Sequence, residues 1–270
     1  MIDVHQHTNW QGHKTKDLIA YMDSLGVDKA WLLSWEAIDG GLDPNYRHLT
    51  INSIYKAYTQ YPDRFIPFAG VDPRRERAEE ILQEWADKGF KGYGEHKLRL
   101  CIDNPDSMRM YRLCGQLHFP VLVHIGAVLP GLKSWYNADM DGLERVLKKY
   151  PETIFVGHGP GFWREISGDA DENLVTYPKG PVSPGGKLSR LLAEYENLYA
   201  DISAGSGLGA LTRDPEFTQR FIAEHWRKLL YGTDGLTREH IDLLKGLNLE
   251  AEIFQAITHK TAASLINVEG

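Results

Sequence analysis

The sequence predicts a TIM-type (β/α)8 barrel, and three observations favour this fold class. Short apolar runs alternate with longer amphipathic segments along all 270 residues, giving eight strand–helix units in a row. The runs at 121–123, 154–156 and 229–231 are continuously apolar, as expected for strands buried on both faces. The length suits one α/β barrel, which typically takes about 250 residues. We therefore expect a single domain over residues 1–270.

The eight predicted strands are each followed by a predicted helix. The strands cover 1–5, 29–34, 64–71, 91–97, 121–124, 153–158, 198–203 and 229–234. The helices cover 16–25, 45–61, 75–88, 105–117, 141–150, 186–195, 215–225 and 238–245, and a closing helix covers 250–266. Gly26, Pro62 and Gly89 follow the first three helices, and such residues end helices.

Two features leave alternatives open. An open doubly wound sheet is the rival architecture, but it favours a glycine-rich phosphate loop after the first strand, where this chain has His-Gln-His. Residues 159–186 break the strand–helix rhythm and are rich in glycine and proline. We interpret this long loop after strand six as a lid or pocket wall, since long loops are often functional. The alternative is a disordered surface excursion.

Composition and charge exclude several classes of protein. The chain carries 30 basic and 37 acidic residues without a dense Lys/Arg run, which argues against a nucleic-acid partner. It has neither an apolar stretch approaching the roughly 20 residues of a membrane span nor a secretory signal at Met1. Cys101 and Cys114 lack CxxC spacing, so we expect two buried thiols. These features predict a soluble, cytoplasmic protein without a membrane partner.

Polar side chains stand at the carboxyl ends of the predicted strands, where α/β barrels place their reacting groups. Residues two apart in a strand share a face, so His5 and His7 can point together into the barrel mouth. Imidazole and carboxylate are the ligands that zinc and similar ions take. The sequence therefore predicts a metal centre at the following strand-end residues: His5, His7, Glu95, His124, His158 and Asp234.

The other histidines have plainer expected roles. His118 precedes strand five at the opposite face of the barrel and should pack there. His13 follows strand one and could contact a ligand, although packing is the more ordinary role. His96 should point away from the site. Those in or beside helices are expected at the surface or in packing: His48, His225, His240 and His259.

Several segments carry a resemblance to a known family. They include IDVHQH (2–7), YPDRFIPFAGVDP (61–73), FPVLVHIG (119–126), IFVGHG (154–159), LYADIS (198–203), LLYGTDG (229–235) and HKTAASLINV (259–268). Together they resemble the amidohydrolase superfamily, and specifically the amidohydrolase-related family of metal-dependent barrel hydrolases and decarboxylases.

The resemblance implies roles for individual residues. It makes His5, His7, His124 and Asp234 ligands of a catalytic divalent ion, most readily Zn²⁺. It makes His158 either the group that orients the attacking water or a ligand of a second ion.

Strand four departs from many relatives, which carry a lysine at its end. Here the order is Glu95-His96-Lys97, with Glu95 and Lys97 on one face. Glu95 resembles the bridging carboxylate of other binuclear members, which favours two ions over one. The alternative is that Glu95 forms a salt bridge to Lys97 or Arg99.

The predicted centre supports three functions. In the first, a divalent ion lowers the pKa of bound water to about 7, Asp234 transfers protons, and a C–O or C–N bond of a lactone, ester or amide is hydrolysed. His158 stabilises the reacting oxygen or the water. In the second, a mononuclear site performs non-oxidative decarboxylation, with Glu95 as the discriminating residue. In the third, the barrel only binds a ligand or partner.

Loop residues predict the substrate class. Arg99 and Lys97 can hold a carboxylate, although they can equally balance Glu95 and neighbouring acids. Aromatic residues of the loops can wall a pocket: Trp10, Trp35, Trp135, Tyr136 and Trp163. We therefore expect a small, anionic, ring-bearing substrate, and a homodimer as the default oligomer.

Overall fold

The structure is a computed structural model that describes residues 1–38, 49–129, 136–172 and 174–266. Its eight parallel strands are β1 (Ile2–Gln6), β2 (Lys29–Leu33), β3 (Phe65–Phe68), β4 (Tyr93–His96), β5 (Val121–His124), β6 (Phe155–His158), β7 (Leu198–Asp201) and β8 (Leu229–Leu230). They pair in sequence order, from β1 to β3 and from β4 to β8.

Hydrogen bonds connect the two sets of strands. The amide of Ala69, just after β3, donates to the carbonyl of Gly92, just before β4 (3.0 Å). The amide of Val4 in β1 donates to the carbonyl of Tyr231, just after β8 (2.9 Å). These contacts link β3 to β4 and β8 to β1, and the predicted TIM-type barrel is confirmed.

The helices follow the strands as predicted, with two additions. They are α1 (Thr15–Leu25), α2 (Ile51–Gln60), α3 (Ala78–Asp87), α4 (Pro105–Leu117), α5 (Met140–Lys149), α6 (Pro160–Arg164), α7 (Lys187–Glu194), α8 (Ala204–Thr212), α9 (Pro215–His225), α10 (Glu239–Gly246), α11 (Ala251–Gln255) and α12 (Thr261–Leu265). A π-helical turn, Ala256–Lys260, joins α11 to α12 within the single helix expected at 250–266.

Capping explains several helix starts. The side chain of Thr50 accepts a hydrogen bond from the amide of Ser53, so α2 begins at Ile51 rather than at residue 45. Residues 45–48 of the predicted helix, His48 among them, lie outside the described residues. Asn104, Asp139 and Asp214 cap α4, α5 and α9 in the same way.

Helix α8 was not predicted, because its amino-acid composition is unfavourable for a helix. Its sequence AGSGLGALT contains three glycines, each a poor helix former. One face of this helix is nevertheless buried through Ser206, Gly207, Ala210 and Leu211. Tertiary burial therefore stabilises a helix that local propensity disfavours.

Strand β8 is shorter than predicted, because the chain leaves the ladder to enter the site. Regular pairing ends at Leu230. Asp234 then adopts a positive φ of 52° and Gly235 one of 157°, and the amide of Asp234 donates to the carbonyl of His5 (2.9 Å). The turn places the Asp234 carboxylate over the end of β1.

Two apolar clusters lie on opposite faces of the strands. Ala30 and Leu32 of β2 pack in the larger cluster, which includes the helices. Trp31 and Leu33 belong to the other cluster, where Ala262 of α12 also packs. Since the helices surround the strands, the second cluster fills the barrel interior beneath the carboxyl ends of the strands.

Two sequence-based expectations of burial have different outcomes. Cys114 is buried in α4, and burial raises the pKa of its thiol. Cys101 is exposed, so the prediction of two buried thiols was wrong for this residue. Its position just beyond β4, in a short bridge to Ala138, places it outside the core. Within the described residues, no helix combines the length and apolarity needed to cross a membrane.

Candidate metal centre

Five of the six predicted metal ligands converge at the carboxyl ends of the strands. Nε2 of His5 and Nε2 of His7 each lie 3.6 Å from Oδ1 of Asp234. Oε2 of Glu95 lies 3.5 Å from Nε2 of His7, and Nε2 of His158 lies 3.9 Å from Oδ2 of Asp234. Strands β1, β4, β6 and the turn after β8 thus direct their polar ends to one place.

These donors fit a divalent ion. Nε2 of His5, Nε2 of His7 and Oδ1 of Asp234 are buried and have no hydrogen-bond partner among the described residues. Buried polar atoms are costly when they remain unsatisfied. In a tetrahedral site with bonds of about 2.0–2.2 Å, neighbouring ligand atoms lie about 3.3–3.6 Å apart, which matches the observed spacing.

The donors form two overlapping sets with His5 in common. His5, His7 and Asp234 compose one set, and His5, Glu95 and His158 compose the other. In each set the ligand atoms all lie within 4.8 Å of one another. The residues present therefore suit one ion, with further donors available beside it.

Hydrogen bonds at Nδ1 orient the imidazole rings. The Nδ1–H group of His7 donates to the carbonyl of Leu33 (2.9 Å), which can only accept. Nδ1 of His5 lies 2.7 Å from Oδ2 of Asp201. With Nδ1 engaged on both rings, the Nε2 atoms face the centre, as metal-binding imidazoles require.

Asp201 at the end of β7 is the functional residue that sequence analysis missed. Its Oδ2 lies 3.1 Å from Nδ1 of His158 as well as near His5, and it accepts a hydrogen bond from Oγ of Ser203 (2.8 Å). One buried carboxylate therefore holds two rings of the centre. The signal was its place at a strand end within LYADIS, the same position that identified the other candidates.

His124 stands beside this cluster. Its Nδ1 lies 2.9 Å from Oε1 of Glu95, and it belongs to neither donor set among the described residues. Burial and the nearby Lys97 cation lower the pKa of His124 to about 3. In this structure the ring contacts Glu95 through Nδ1, and the metal-ligand role that the family resemblance implied for His124 stays a prediction.

The charged groups of the centre shift one another's pKa. Burial opposes a charged His5, but the carboxylates of Asp234 and Asp201 outweigh it and raise the pKa of His5 to about 9. Burial likewise opposes ionisation of Glu95, yet the Lys97 cation and the hydrogen bond to His124 hold its pKa well below its usual range. The centre thus concentrates negative charge that attracts a cation.

Asp3 links β1 to the turn after β8 through hydrogen bonds. Its Oδ1 accepts hydrogen bonds from the amides of His5 (3.0 Å) and Thr233 (3.2 Å), and its Oδ2 accepts from Oγ of Thr233 (2.7 Å). Burial raises the pKa of Asp3 to about 6 despite these hydrogen bonds. The network fixes the spacing between His5 and Asp234.

Lys97 and Arg99, the two cationic residues predicted to bind the substrate, lie beside aromatic rings at the mouth of the barrel. Nζ of Lys97 lies 5.9 Å from the centroid of Trp35 and 5.5 Å from that of Tyr136. The guanidinium carbon of Arg99 lies 5.7 Å from the Tyr136 centroid. The Nε of Arg99 is buried and meets no acceptor among the residues that the structure describes. Lys97 also acts on Glu95, so part of its role is the charge balance considered as the alternative.

The predicted pocket tryptophans do not share one location. Trp10 packs against the ring of His7, and Trp35 donates from its indole to the carbonyl of Lys97, so both lie next to the centre. Trp163 is 1% exposed and donates to the carbonyl of Asp201 (2.8 Å) within the main core. In this structure Trp163 packs in the core, and its assignment to the substrate pocket stays a prediction. Trp135 lies outside the described residues.

The remaining described histidines lie away from the donor sets. Nε2–H of His13 donates to the carbonyl of His7 (3.0 Å), and the ring of His96 packs on Tyr93. His225 and His240 are buried in helices, while His118 is exposed at the end of α4 and His259 is exposed in the π-helical turn.

The long segment after β6 is partly folded. It contains α6, in which Phe162 and Trp163 are buried, whereas Leu174, Val175 and Tyr177 are exposed. The interpretation as a wholly disordered excursion is thus wrong for the described part of the loop. Its role as a lid stays a prediction.

Comparison with known proteins agrees with this architecture. The chain resembles a candidate 2-pyrone-4,6-dicarboxylic acid hydrolase from Pseudomonas putida (TM-score 0.67, 16% identity, 100% of this chain and 98% of that chain covered). It also resembles a manganese-bound dihydroxybenzoic acid decarboxylase from Polaromonas sp. JS666 (TM-score 0.66, 16% identity, 100% and 97% covered). A third similar structure is the 2,6-dihydroxybenzoate decarboxylase from Rhizobium (TM-score 0.62, 16% identity, 100% and 98% covered).

No curated protein matches the chain. The model of the amidohydrolase family, however, matches residues 2–267, which is nearly the whole length. The protein is therefore an enzyme of the amidohydrolase superfamily and belongs to this family.

Proposed function

We propose that this enzyme is a metal-dependent hydrolase that cleaves a C–O or C–N bond of a small anionic molecule. The observation that carries the proposal is the convergence of three unsatisfied buried donors, on His5, His7 and Asp234, beside the carboxylate of Glu95. These three residues would hold a divalent ion, most readily Zn²⁺, and Glu95 and His158 would complete its surroundings or hold a second ion.

A bound divalent ion would lower the pKa of a coordinated water and polarise a carbonyl group. Asp234 is the group that moves the proton. Its Oδ1 faces His5 and His7, and its Oδ2 faces His158. The side chain is 16% exposed at the mouth of the site. The carboxylate can therefore accept a proton from the attacking water and deliver it to the leaving group.

His158 is held in place for a second task. Its Nδ1 contacts Asp201 and Ser203, so Nε2 points into the centre opposite Asp234. From there it can orient the attacking water or bind an adjacent ion. Because Asp201 is fully buried, this orientation is maintained without help from solvent.

The substrate class follows from the mouth of the site. Lys97 and Arg99 supply positive charge next to the ring of Tyr136. A carboxylate on the substrate would interact with these cations, and a planar ring would stack on the aromatic wall. These features support an anionic, ring-bearing lactone, ester or amide.

Non-oxidative decarboxylation is the second candidate. The unsatisfied ligand atoms form one compact set, and His124 contacts Glu95 instead of a second set of donors. A single-ion site of this kind favours decarboxylation, and two of the similar structures described above are decarboxylases.

Isotope labelling separates the two reactions. The metal-loaded enzyme is incubated in H₂¹⁸O with 2-pyrone-4,6-dicarboxylate, with other carboxylate-bearing lactones, esters and amides, and with 2,6-dihydroxybenzoate. Hydrolysis introduces ¹⁸O into the product, whereas decarboxylation releases CO₂ and leaves the remaining product unlabelled. Both candidates would be contradicted if neither Asp234→Asn nor metal removal changed the turnover.

Metal content gives an independent test. Elemental analysis of the wild type and of Glu95→Gln counts the ions per chain. Two equivalents falling to one would support the binuclear hydrolase. One equivalent in both proteins would favour the mononuclear decarboxylase, because Glu95 would then bind no ion.

A further inference from the structure

A small pocket lies outside the candidate metal centre, between the segments that follow β6 and β7. Trp163 and Arg164 border it on one side, Ser206, Gly209 and Arg213 on another, and Tyr177 borders it from the long loop. Its volume is about 20 Å³. A cavity needs about 10–15 Å³ to hold one water, so this pocket, here called the Ser206 pocket, has room for a compact polar group.

Two hydrogen-bond donors at the pocket lack acceptors. Ser206 is 4% exposed, and its buried Oγ has no hydrogen-bond partner within the part of the chain that the structure describes. Arg213 donates from Nη2 to the carbonyl of Pro181 (3.0 Å), but its buried Nε meets no acceptor in the described ranges. Such groups are destabilising unless a ligand or water satisfies them.

The charge around the pocket selects the kind of ligand. Arg164 and Arg213 both line it, and none of its lining residues in the described part of the chain is acidic. Ser206 also lies in the first turn of α8, a helix of nine residues whose amino end carries partial positive charge. Cations are repelled by this arrangement, while an acceptor with negative charge satisfies both donors.

We propose that the Ser206 pocket binds a compact oxyanion, either a carboxylate or a phosphate group. Oγ of Ser206 and Nε of Arg213 donate to its oxygens, and the guanidinium of Arg164 contributes positive charge. The proposal is independent of the reaction at the metal centre. The oxyanion can be a free inorganic anion or the acidic group of a larger bound molecule.

Two glycines of α8 provide matched variants. A Cβ added at Gly209 or at Gly205 meets no atom within 4 Å, so alanine fits at both positions. Alanine is also the better helix former, by about 1 kcal/mol. Only Gly209 lines the pocket, so Gly209→Ala narrows it while Gly205→Ala leaves it open.

The proposal is tested by calorimetric titration of the full chain with inorganic phosphate and, separately, with acetate. Sodium chloride of equal ionic strength is the control titrant. We expect saturable binding of at least one probe. Ser206→Ala and Arg213→Gln should each weaken it about tenfold, since charge-assisted hydrogen bonds contribute at this level, and Gly209→Ala should weaken it similarly because it narrows the pocket. Gly205→Ala should bind like the wild type. Ser206→Ala removes an unsatisfied hydroxyl and should therefore fold normally.

The two probes distinguish the sources. Tighter binding of phosphate would indicate phosphate or a phosphoester, and tighter binding of acetate would indicate a carboxylate-bearing molecule. The proposal is overturned if neither probe binds saturably, which would mean that water alone fills the pocket. It is also overturned if binding survives Ser206→Ala and Gly209→Ala but is lost in Lys97→Ala, because the anion would then occupy the mouth of the metal centre.

Discussion

Oδ2 of Asp201 lies 2.7 Å from Nδ1 of His5, and both side chains are fully buried. The contact determines that Nε2 of His5 faces Asp234. The same carboxylate oxygen lies 3.1 Å from Nδ1 of His158, so a single side chain on β7 orients rings from β1 and β6. Burial opposes ionisation of Asp201, but the charges and hydrogen bonds of His5 and His158 lower its pKa.

Replacing Asp201 tests this orienting role. Asp201→Asn keeps the size of the side chain and removes its charge, so we expect the affinity for Zn²⁺ or Mn²⁺ to fall about 10- to 100-fold, as is typical when the partner of a ligating histidine is lost. Competition titration with a chromogenic chelator measures this affinity. Asp63→Asn, at an exposed position, is the control. An unchanged affinity in Asp201→Asn would show that the rings are held without this carboxylate.

Metal removal should destabilise the protein. Without an ion, unsatisfied donors and several carboxylates face one another at the centre. An ion that binds only the folded state stabilises it by about 4 kcal/mol at a thousandfold excess over its Kd. We expect Tm to fall after chelation and to recover on adding Zn²⁺ or Mn²⁺.

The double variant His5→Gln/His7→Gln is the control for this effect, because it lacks two of the three donors. Its Tm should respond little to chelation. A Tm that is equally insensitive in the wild type would argue against an ion at this centre.

The sequence could predict the barrel and most of the centre because both follow from position along the chain. His5, His7, Glu95, His158 and Asp234 stand where buried strands end, and a parallel barrel brings such ends together. The burial of Cys101 was predicted wrongly, because position along the chain does not reveal which side chains the fold buries.

Other features depend on long-range packing. Helix α8 forms in a glycine-rich segment because one of its faces is buried against the rest of the chain. His124 contacts Glu95 through Nδ1, and strand position alone does not determine which ring nitrogen points where. Such details require the three-dimensional arrangement of several elements.

Arg99 should contribute to substrate binding. Arg99→Ala removes a guanidinium that lies 5.7 Å from the Tyr136 ring centroid and whose Nε has no acceptor among the described residues. For an anionic substrate we expect KM to rise about tenfold with little change in kcat, since a charge-assisted hydrogen bond contributes about 1.5–3 kcal/mol. Steady-state kinetics measure both constants. Arg109→Ala, which removes an exposed arginine of α4 paired with Asp106, is the control, and an unchanged KM in Arg99→Ala would refute the carboxylate contact.

His225 should make the folded state sensitive to acid. Burial lowers the pKa of this histidine in α9, and Oγ of Ser189 lies 2.7 Å from its Nε2. The unfolded chain therefore binds more protons below the ordinary histidine pKa of about 6.5, so stability decreases as the pH falls through that range. Urea unfolding at pH 7.5 and 5.5 measures the decrease. His225→Gln should reduce it, and an equal loss of stability in the variant would assign the acid sensitivity to other groups.

Gly161 should be required for packing of α6 against the loop after β5. A Cβ at this position would lie 2.2 Å from the carbonyl oxygen of Gly126, which belongs to the backbone and cannot rotate away. We therefore expect Gly161→Ala to lower the free energy of unfolding by about 1–3 kcal/mol or more, as overpacking typically does. Gly246→Ala is the matched control, because a Cβ there meets no atom within 4 Å. Since α6 begins two residues after His158, Gly161→Ala should also weaken metal binding. Equal urea midpoints for the two variants would show that the loop adjusts without cost.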